Sequence, residues 1–476
     1  MSKNNYSKNL VKNTFILSLN KLIAPLISFL LLPIYTNNIS TSEYGITDII
    51  QTYVTLLVPI LLLRLDVGMF RFIIERREDK KAISEIVTNT IAIVTPIIAL
   101  ASIILTIASI FNILPFQIAT VFYFLNVMAN NIIGPLTRGL GKNTLFSIGA
   151  IAEIFSNLIF STIFVLILKM GGLGLMLSWS LSTLINNIIC MAGIKSEFSF
   201  NRNLLNKSLR KELIKLSAPI IADGVSFWVI NTSDRTIITL ILGASANGIY
   251  AIANKFSNLI GSATSIFWIS WNEQASVAIK DDNYSAFVSK VFNSYFKIVT
   301  SIAMIVIAII PFLFRITINP DYGKAISYIP FLIIGLFLNS IATFYGPIYL
   351  AHKKSKEVAT STTIAAIINL LVDLALVWFI GIWAAVISTI IAYLFILAYR
   401  VIDVRKIIKI EYHTREIISS IIPLIICIIL YYISNPFIIF LNITLSAIVA
   451  SVLNKDIISK LVHSIKIRLI KPKNSC

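Results

Sequence analysis

The chain has 476 residues, of which 57% are hydrophobic and 13% charged, and its mean hydropathy is +0.86. A soluble domain carries about 25% charged residues, so this balance excludes a soluble globular enzyme or binding module. The formal net charge of +18 raises nucleic acid as a partner, but the placement of the basic residues, given below, argues against it.

In chain order, the N-terminus carries basic residues and then an apolar run that continues to Tyr35. It has no clear small-residue cleavage site, so it reads as a retained first helix and not a signal peptide. The pattern predicts fourteen helices, over 15–36, 45–66, 86–110, 114–136, 144–168, 172–194, 216–242, 247–271, 291–313, 325–349, 358–380, 382–399, 416–433 and 435–453. Most have the ~20 apolar residues that cross about 30 Å of hydrocarbon. The expected fold class is therefore all-α and integral to a membrane. Cys190, Cys427 and Cys476 form no disulfide or metal framework, and His352, His413 and His463 fall in predicted loops or tails.

The basic residues orient these helices. With the N-terminus placed in the cytoplasm, 33 of the 40 Lys and Arg fall in cytoplasmic ends and loops, and only Lys169, Arg315 and Lys324 in outer loops. Lys21, Arg64, Arg235 and Lys255 remain inside spans. Both termini are then cytoplasmic, and the excess charge faces anionic membrane lipids, not nucleic acid. Loops are short throughout and leave no room for a soluble catalytic module.

Two stretches of chain repeat each other in order. "KLIAP" at 21–25 recurs as "KLSAP" at 215–219, "YGI" at 44–46 as the inverted "GIY" at 248–250, "FLN…GP" at 124–135 as "FLN…GP" at 337–347, and Asn157 as Asn369. Each unit holds six helices. An even number makes the repeat parallel, with a pseudo-two-fold axis along the membrane normal. The expected organisation is an N-lobe over 1–200, a cytoplasmic linker over 201–215, a C-lobe over 216–410, and two further helices with a basic tail over 411–476.

The two six-helix lobes, "EYG" at 43–45, "LDVGMFRF" at 65–72 and "SDRTIITLILGASANGIYAIANKF" at 233–256 resemble the polysaccharide or O-antigen flippases. These belong to the multidrug/oligosaccharidyl-lipid/polysaccharide exporter superfamily. The resemblance covers nearly the whole chain. It implies export of a lipid-linked oligosaccharide across the bacterial cytoplasmic membrane during O-antigen or capsule assembly, by a monomer that needs no cofactor.

Charged residues inside spans are costly and mark function or pairing. Asp234 and Arg235 lie about eight residues before the turn "GASANG" at 243–248, and Lys255 about seven after it. A tight hairpin would set all three at one depth as a network. Asp223 lies eleven residues before Asp234, close to three turns, and Ser226 and Asn231 flank the same face. Glu153 and Asn157, and Asn369 and Asp373, are i, i+4 pairs on helices equivalent in the repeat. Each reads as an interhelical hydrogen-bonding site or as a proton or sodium site. Arg64 and Asp66, two apart, would not share a helix face. Arg64 is a cavity candidate, Arg71 an interfacial anchor, and Lys21 lies near the cytoplasmic mouth.

A polyprenyl diphosphate carries two phosphates through a medium of low dielectric, and Arg and Lys neutralise them by charge-assisted hydrogen bonds. Arg64, Arg235, Lys255, Lys21 and Asn231 are the expected substrate ligands. Asp234, Asp223, Glu153 and Asp373 are the expected coupling or gating carboxylates. "GxxxxGK" is absent, so the chain itself does not hydrolyse ATP. A multidrug/cation antiporter of the same fold would want a carboxylate in the first helix, which has none. A polysaccharide polymerase or ligase would want a long outer loop, and the longest here is "FRITINPDYGK" at 314–324.

Overall fold

The computed structural model describes residues 23–459, apart from 280 and 434 and the side chains of Asp223, Phe227, Ile266 and Ile269. No strand occurs among the described residues. The helices are α1 Ile23–Asn38, α2 Thr41–Leu61, α3 Leu65–Glu75, α4 Lys80–Ile110, α5 Gln117–Gly139, α6 Asn143–Ser161, α7 Gly171–Ile194, α8 Lys207–Ser217 and α9 Ile221–Leu242. They continue as α10 Ala244–Ala278, α11 Tyr284–Thr317, α12 Ala325–Thr343, α13 Gly346–Ala351, α14 Ser355–Ile380, α15 Trp383–Asp403, α16 Thr414–Tyr431 and α17 Pro436–Leu453.

Each predicted segment is mostly helical over its described part, and 45–66 is broken at 62–64 into α2 and α3. Eleven helices are long and apolar enough to cross a bilayer, or twelve if the bent pair Lys207–Ser226 and Trp228–Leu242, at 51°, counts as one span. The protein is therefore a multi-pass membrane protein, and the number of spans by this measure is below the fourteen expected. The difference lies in α1, whose described part is shorter, and in α10, which carries Asn247, Asn254, Lys255, Asn258, Asn272 and Glu273.

The chain falls into two compact units, one of residues up to Ile252 with Ile318–Gly323 and Leu370–Ala385, the other of the remainder. In the first, α5 and α6 pack on α7, whose Gly171, Gly172, Gly174, Ser178 and Ser182 are all buried and let backbones approach. Its core runs through Val58, Leu62, Leu65, Met69, Ile86, Met128, Met176 and Ile194. In the second unit α11 packs on α16 and α17. An aromatic cluster joins α10, α11 and the α12–α13 break: the rings of Phe267 and Tyr295 stack at 4.1 Å and those of Trp271 and Phe344 at 4.7 Å. The Trp271 indole N–H donates to the Phe344 carbonyl at 2.8 Å. Arg400, counted above with the cytoplasmic loops, is instead buried on α15 and donates to Ser361, Thr362 and the Ala342 carbonyl.

Each unit secures a non-helical segment, after α7 and after α15, in a like manner. On α4, Ser84 Oγ accepts the Ser199 N–H at 3.0 Å, and Asn89 Oδ1 accepts the Asn206 N–H at 2.8 Å. On α11, the corresponding helix of the other unit, Ser289 Oγ accepts the Glu411 N–H at 2.9 Å and Asn293 Oδ1 accepts the His413 N–H at 3.0 Å. Asn89 and Asn293 also donate to carbonyls of the same segments, those of Leu204 and Glu411. Extended backbone has no partners of its own, and these side chains supply them.

Candidate functional site

α2 runs through Pro59 and stops at Leu61. Leu63 and Arg64 then take left-handed backbone, at φ 52° and 54°, before α3 begins. Two successive non-glycine residues in this region are unfavourable and mark a position held for a purpose. The break turns Arg64 onto Asp66, with Nε 3.4 Å from Oδ1, so the two do pair, against the expectation from an unbroken helix. Arg64 keeps 24% of its side chain exposed, and its Nη1 lies 3.3 Å from where a β-carbon on Gly224 of α9 would stand. A side chain there would crowd the guanidinium.

Arg235, on α9, reaches α2. Its Nη1 is 2.8 Å from Asp48 Oδ1, and the two side chains are 16% and 5% exposed. Asn247 of α10 donates to the other Asp48 oxygen at 3.3 Å and to the Gly45 carbonyl at 2.9 Å. Asp234 turns the other way: its Oδ1 accepts the Arg235 backbone N–H at 2.9 Å, and Oδ2 accepts the Tyr250 hydroxyl. The expected hairpin network therefore exists with other partners. Asp48, Asn247 and Tyr250 complete it, and Lys255 lies further along α10, half-buried in the second unit. Asp48 is a lone carboxylate near the start of the predicted 45–66 segment, and no basic residue near it in sequence marks its partner.

Beside this network the first unit holds Asp373. Its side chain is fully buried, neither oxygen has a hydrogen-bond partner among the described residues, and the Asp234 charge acts on it. Glu153 of α6 is half-buried, and its two oxygens accept from Thr183 Oγ1 and Asn186 Nδ2 of α7, each at 2.8 Å. Asn157 accepts from Ser161 at 3.3 Å, and Asn369 donates to Ser388 at 3.2 Å. Asn231 is exposed on α9. Lys21 and the Asp223 side chain lie outside the described residues.

A sequence profile of the polysaccharide biosynthesis protein family matches residues 10–268. The chain belongs to this family. No curated protein matches it by sequence. Among solved structures, a lipid II flippase, MurJ, in an inward closed conformation is similar over 95% of this chain and 100% of its own, at 13% identity and a TM-score of 0.70. An inward-facing multidrug resistance transporter of the MATE family and MOP superfamily is similar over 82% and 98%, at 12% identity and a TM-score of 0.67. At these identities the likeness is one of fold.

For this polysaccharide biosynthesis protein the first unit thus brings together two sets of groups on α2. Near its start lies an ion pair between two buried charges, closed by Asn247. At its broken end lies a guanidinium with partial access to solvent and a loose carboxylate partner. Among the described residues no three His, Cys, Asp or Glu are grouped to hold a metal ion.

Proposed function

We propose that the protein is a flippase that moves oligosaccharides linked to a polyprenyl diphosphate across the bacterial cytoplasmic membrane, for O-antigen or capsule assembly, by alternating access. The observation that carries this reading is Arg64. It is a half-buried cation at a strained helix break, paired at 3.4 Å with one carboxylate and facing a glycine that leaves it room. A fixed guanidinium of this kind binds phosphate oxygens in two-point fashion. The family membership and the flippase and transporter folds of the similar structures support it.

Arg235 is the second anion ligand, available when Asp48 releases it. Lys255, Lys21 and Asn231 extend the polar path. With both termini cytoplasmic, the Asp48–Arg235 pair lies toward the outer surface, and the lobes 1–200 and 216–410 rock about the linker 201–215. A monomer suffices for this cycle. Asp373 and Asp234 carry the coupling: Asp373, a buried carboxylate with no donor among the described residues, holds a proton or a cation, and Asp234, held by Tyr250 and the Arg235 N–H, acts beside it. Asp223 belongs to the same face of α9. Glu153 is held by two neutral donors and is left out of the coupling set.

The test is transport in proteoliposomes. A fluorescent polyprenyl-diphosphate sugar is presented on one face and its arrival on the other is followed with an impermeant reagent. Acceleration by the wild type that is lost in Arg64→Ala supports the reading. Failure to move any lipid-linked sugar, with gradient-driven uptake of an organic cation in its place, replaces it with the antiporter reading.

A further inference from the structure

We infer that Glu153, Trp179 and Asn130 form a subsite for a neutral, hydroxyl-rich saccharide. The inference rests on the flippase reading and assigns the part of the substrate that the cationic residues do not explain.

Glu153 is an ionisable group in a span without a cation beside it, since none of the described ion pairs includes it. Its two oxygens each accept one hydrogen bond, from Thr183 and from Asn186, which are themselves 5% and 4% exposed. These neutral donors fix the carboxylate in one orientation. They leave lone pairs unused, because a carboxylate accepts at about four positions. Asn186 is braced in turn by Asn130 Oδ1 at 3.4 Å and by the Cys190 thiol at 3.3 Å. Gly149 of α6 meets the same amide so closely that a β-carbon there would stand 2.3 Å from Asn186 Oδ1. The site is therefore built on two helices locked at fixed separation, with Glu153 and Asn130 still half-buried at its front.

The aromatic part adjoins it. Trp179 stands four residues before Thr183 on α7, one turn along the same face. The Tyr123 and Trp179 rings are 5.9 Å apart at 45°, and the indole is half-buried. A pyranose presents hydroxyls at its edge and C–H bonds on its faces. A fixed carboxylate with spare lone pairs, an amide that both donates and accepts, and an indole face complement both kinds of surface.

The charge excludes the alternatives. A diphosphate would be repelled by Glu153. An organic cation would use the carboxylate and the rings and leave the amide donors and acceptors unpaired, at a cost in affinity.

The test is equilibrium binding to the purified full chain in nanodiscs, with four probes: undecaprenyl diphosphate alone, and the same lipid bearing one glucose, one galactose or one N-acetylglucosamine. The wild type is expected to bind at least one sugar-bearing lipid about 10-fold more tightly than the bare lipid, the worth of one hydrogen bond to a charged group. Glu153→Gln, which keeps the shape, and Trp179→Ala should each bring that ratio close to one. A wild type with no preference for any sugar, or a preference that survives both variants, overturns the subsite while binding of the bare lipid leaves the flippase reading in place. Tetraphenylphosphonium binding that depends on Glu153, without a sugar preference, makes it a cation site. Binding of none of the four lipids removes the flippase reading and the subsite with it.

Discussion

Gly45 of α2 and Gly248 of α10 lie backbone to backbone. A β-carbon on Gly45 would stand 1.8 Å from the Ala244 carbonyl oxygen, and one on Gly248 would stand 1.9 Å from that of Thr41. These are the glycines of "YGI" at 44–46 and "GIY" at 248–250. The contact brings Asn247 within 2.9 Å of the Gly45 carbonyl, and Thr41 Oγ1 within 2.8 Å of Ser245 Oγ. Gly45→Ala must push the helices apart because the clash is with backbone. A loss of ~3 kcal/mol follows from overpacking at a site that cannot yield. A thermal melt of the variant that superimposes on the wild type would contradict it.

The same junction holds the Asp48–Arg235 pair, and removing one partner leaves the other charge buried. Asp48→Ala should cost about 3–5 kcal/mol, as should Arg235→Ala. The double variant Asp48→Ala/Arg235→Ala should lose much less than the sum, because neither charge is then stranded. Chemical denaturation of the four proteins in detergent measures the coupling. Additive losses would show that the two groups do not depend on each other.

The helical class and most segment positions were legible, because a bilayer leaves apolar length as a strong signal. The partners were not. Nothing in sequence brings Asp48 to Arg235, 187 positions away, and that contact depends on two glycines meeting. Arg64 pairs with Asp66 because the chain breaks at 62–64, inside the predicted 45–66 segment, and no residue type there announces a left-handed turn. Glu153 and Asn157 share a helix face, and Glu153 makes interhelical hydrogen bonds to α7, but its partners Thr183 and Asn186 could not be named from sequence.

Asp373 is fully buried and has no hydrogen-bond donor among the described residues, so it must be neutralised by a proton or a cation in each state that buries it. Asp373→Asn removes the charge and keeps the shape. In the proteoliposome assay the wild-type rate should rise with an imposed proton or sodium gradient, and the Asn variant should be insensitive to both. A variant that responds to the gradient as the wild type does would remove Asp373 from the coupling.

Glu197 lies in the segment after α7 and accepts from Lys142 Nζ at 2.7 Å. That hydrogen bond, the Lys142 charge and the more distant Lys80 together hold its carboxyl below the ordinary value. A depressed folded-state value means that the contribution to stability is present above the unfolded value, about 4.3, and is lost as pH falls through the folded value. The difference in melting temperature between wild type and Glu197→Gln should therefore be present at about pH 6 and vanish at about pH 3. A difference that persists in acid would assign the effect of Gln to something other than the ion pair.

Arg64 combines a left-handed backbone with the charge proposed to bind diphosphate, and two glycine variants separate them. Arg64→Gly relieves the backbone at φ 54° and deletes the guanidinium. Its stability should hold or rise by up to ~1 kcal/mol before the loss of contacts is counted, since glycine occupies this region freely. Its transport of a polyprenyl-diphosphate sugar should nevertheless fall at least about 10-fold, the worth of one charge-assisted contact to phosphate. Leu63→Gly relieves the neighbouring residue at φ 52° and leaves the charge, so transport should stay near wild type. Arg64→Lys should fall between, because an ammonium lacks the two-point geometry. Equal loss in both glycine variants would mean that the rigid break, and not the guanidinium, is what transport requires.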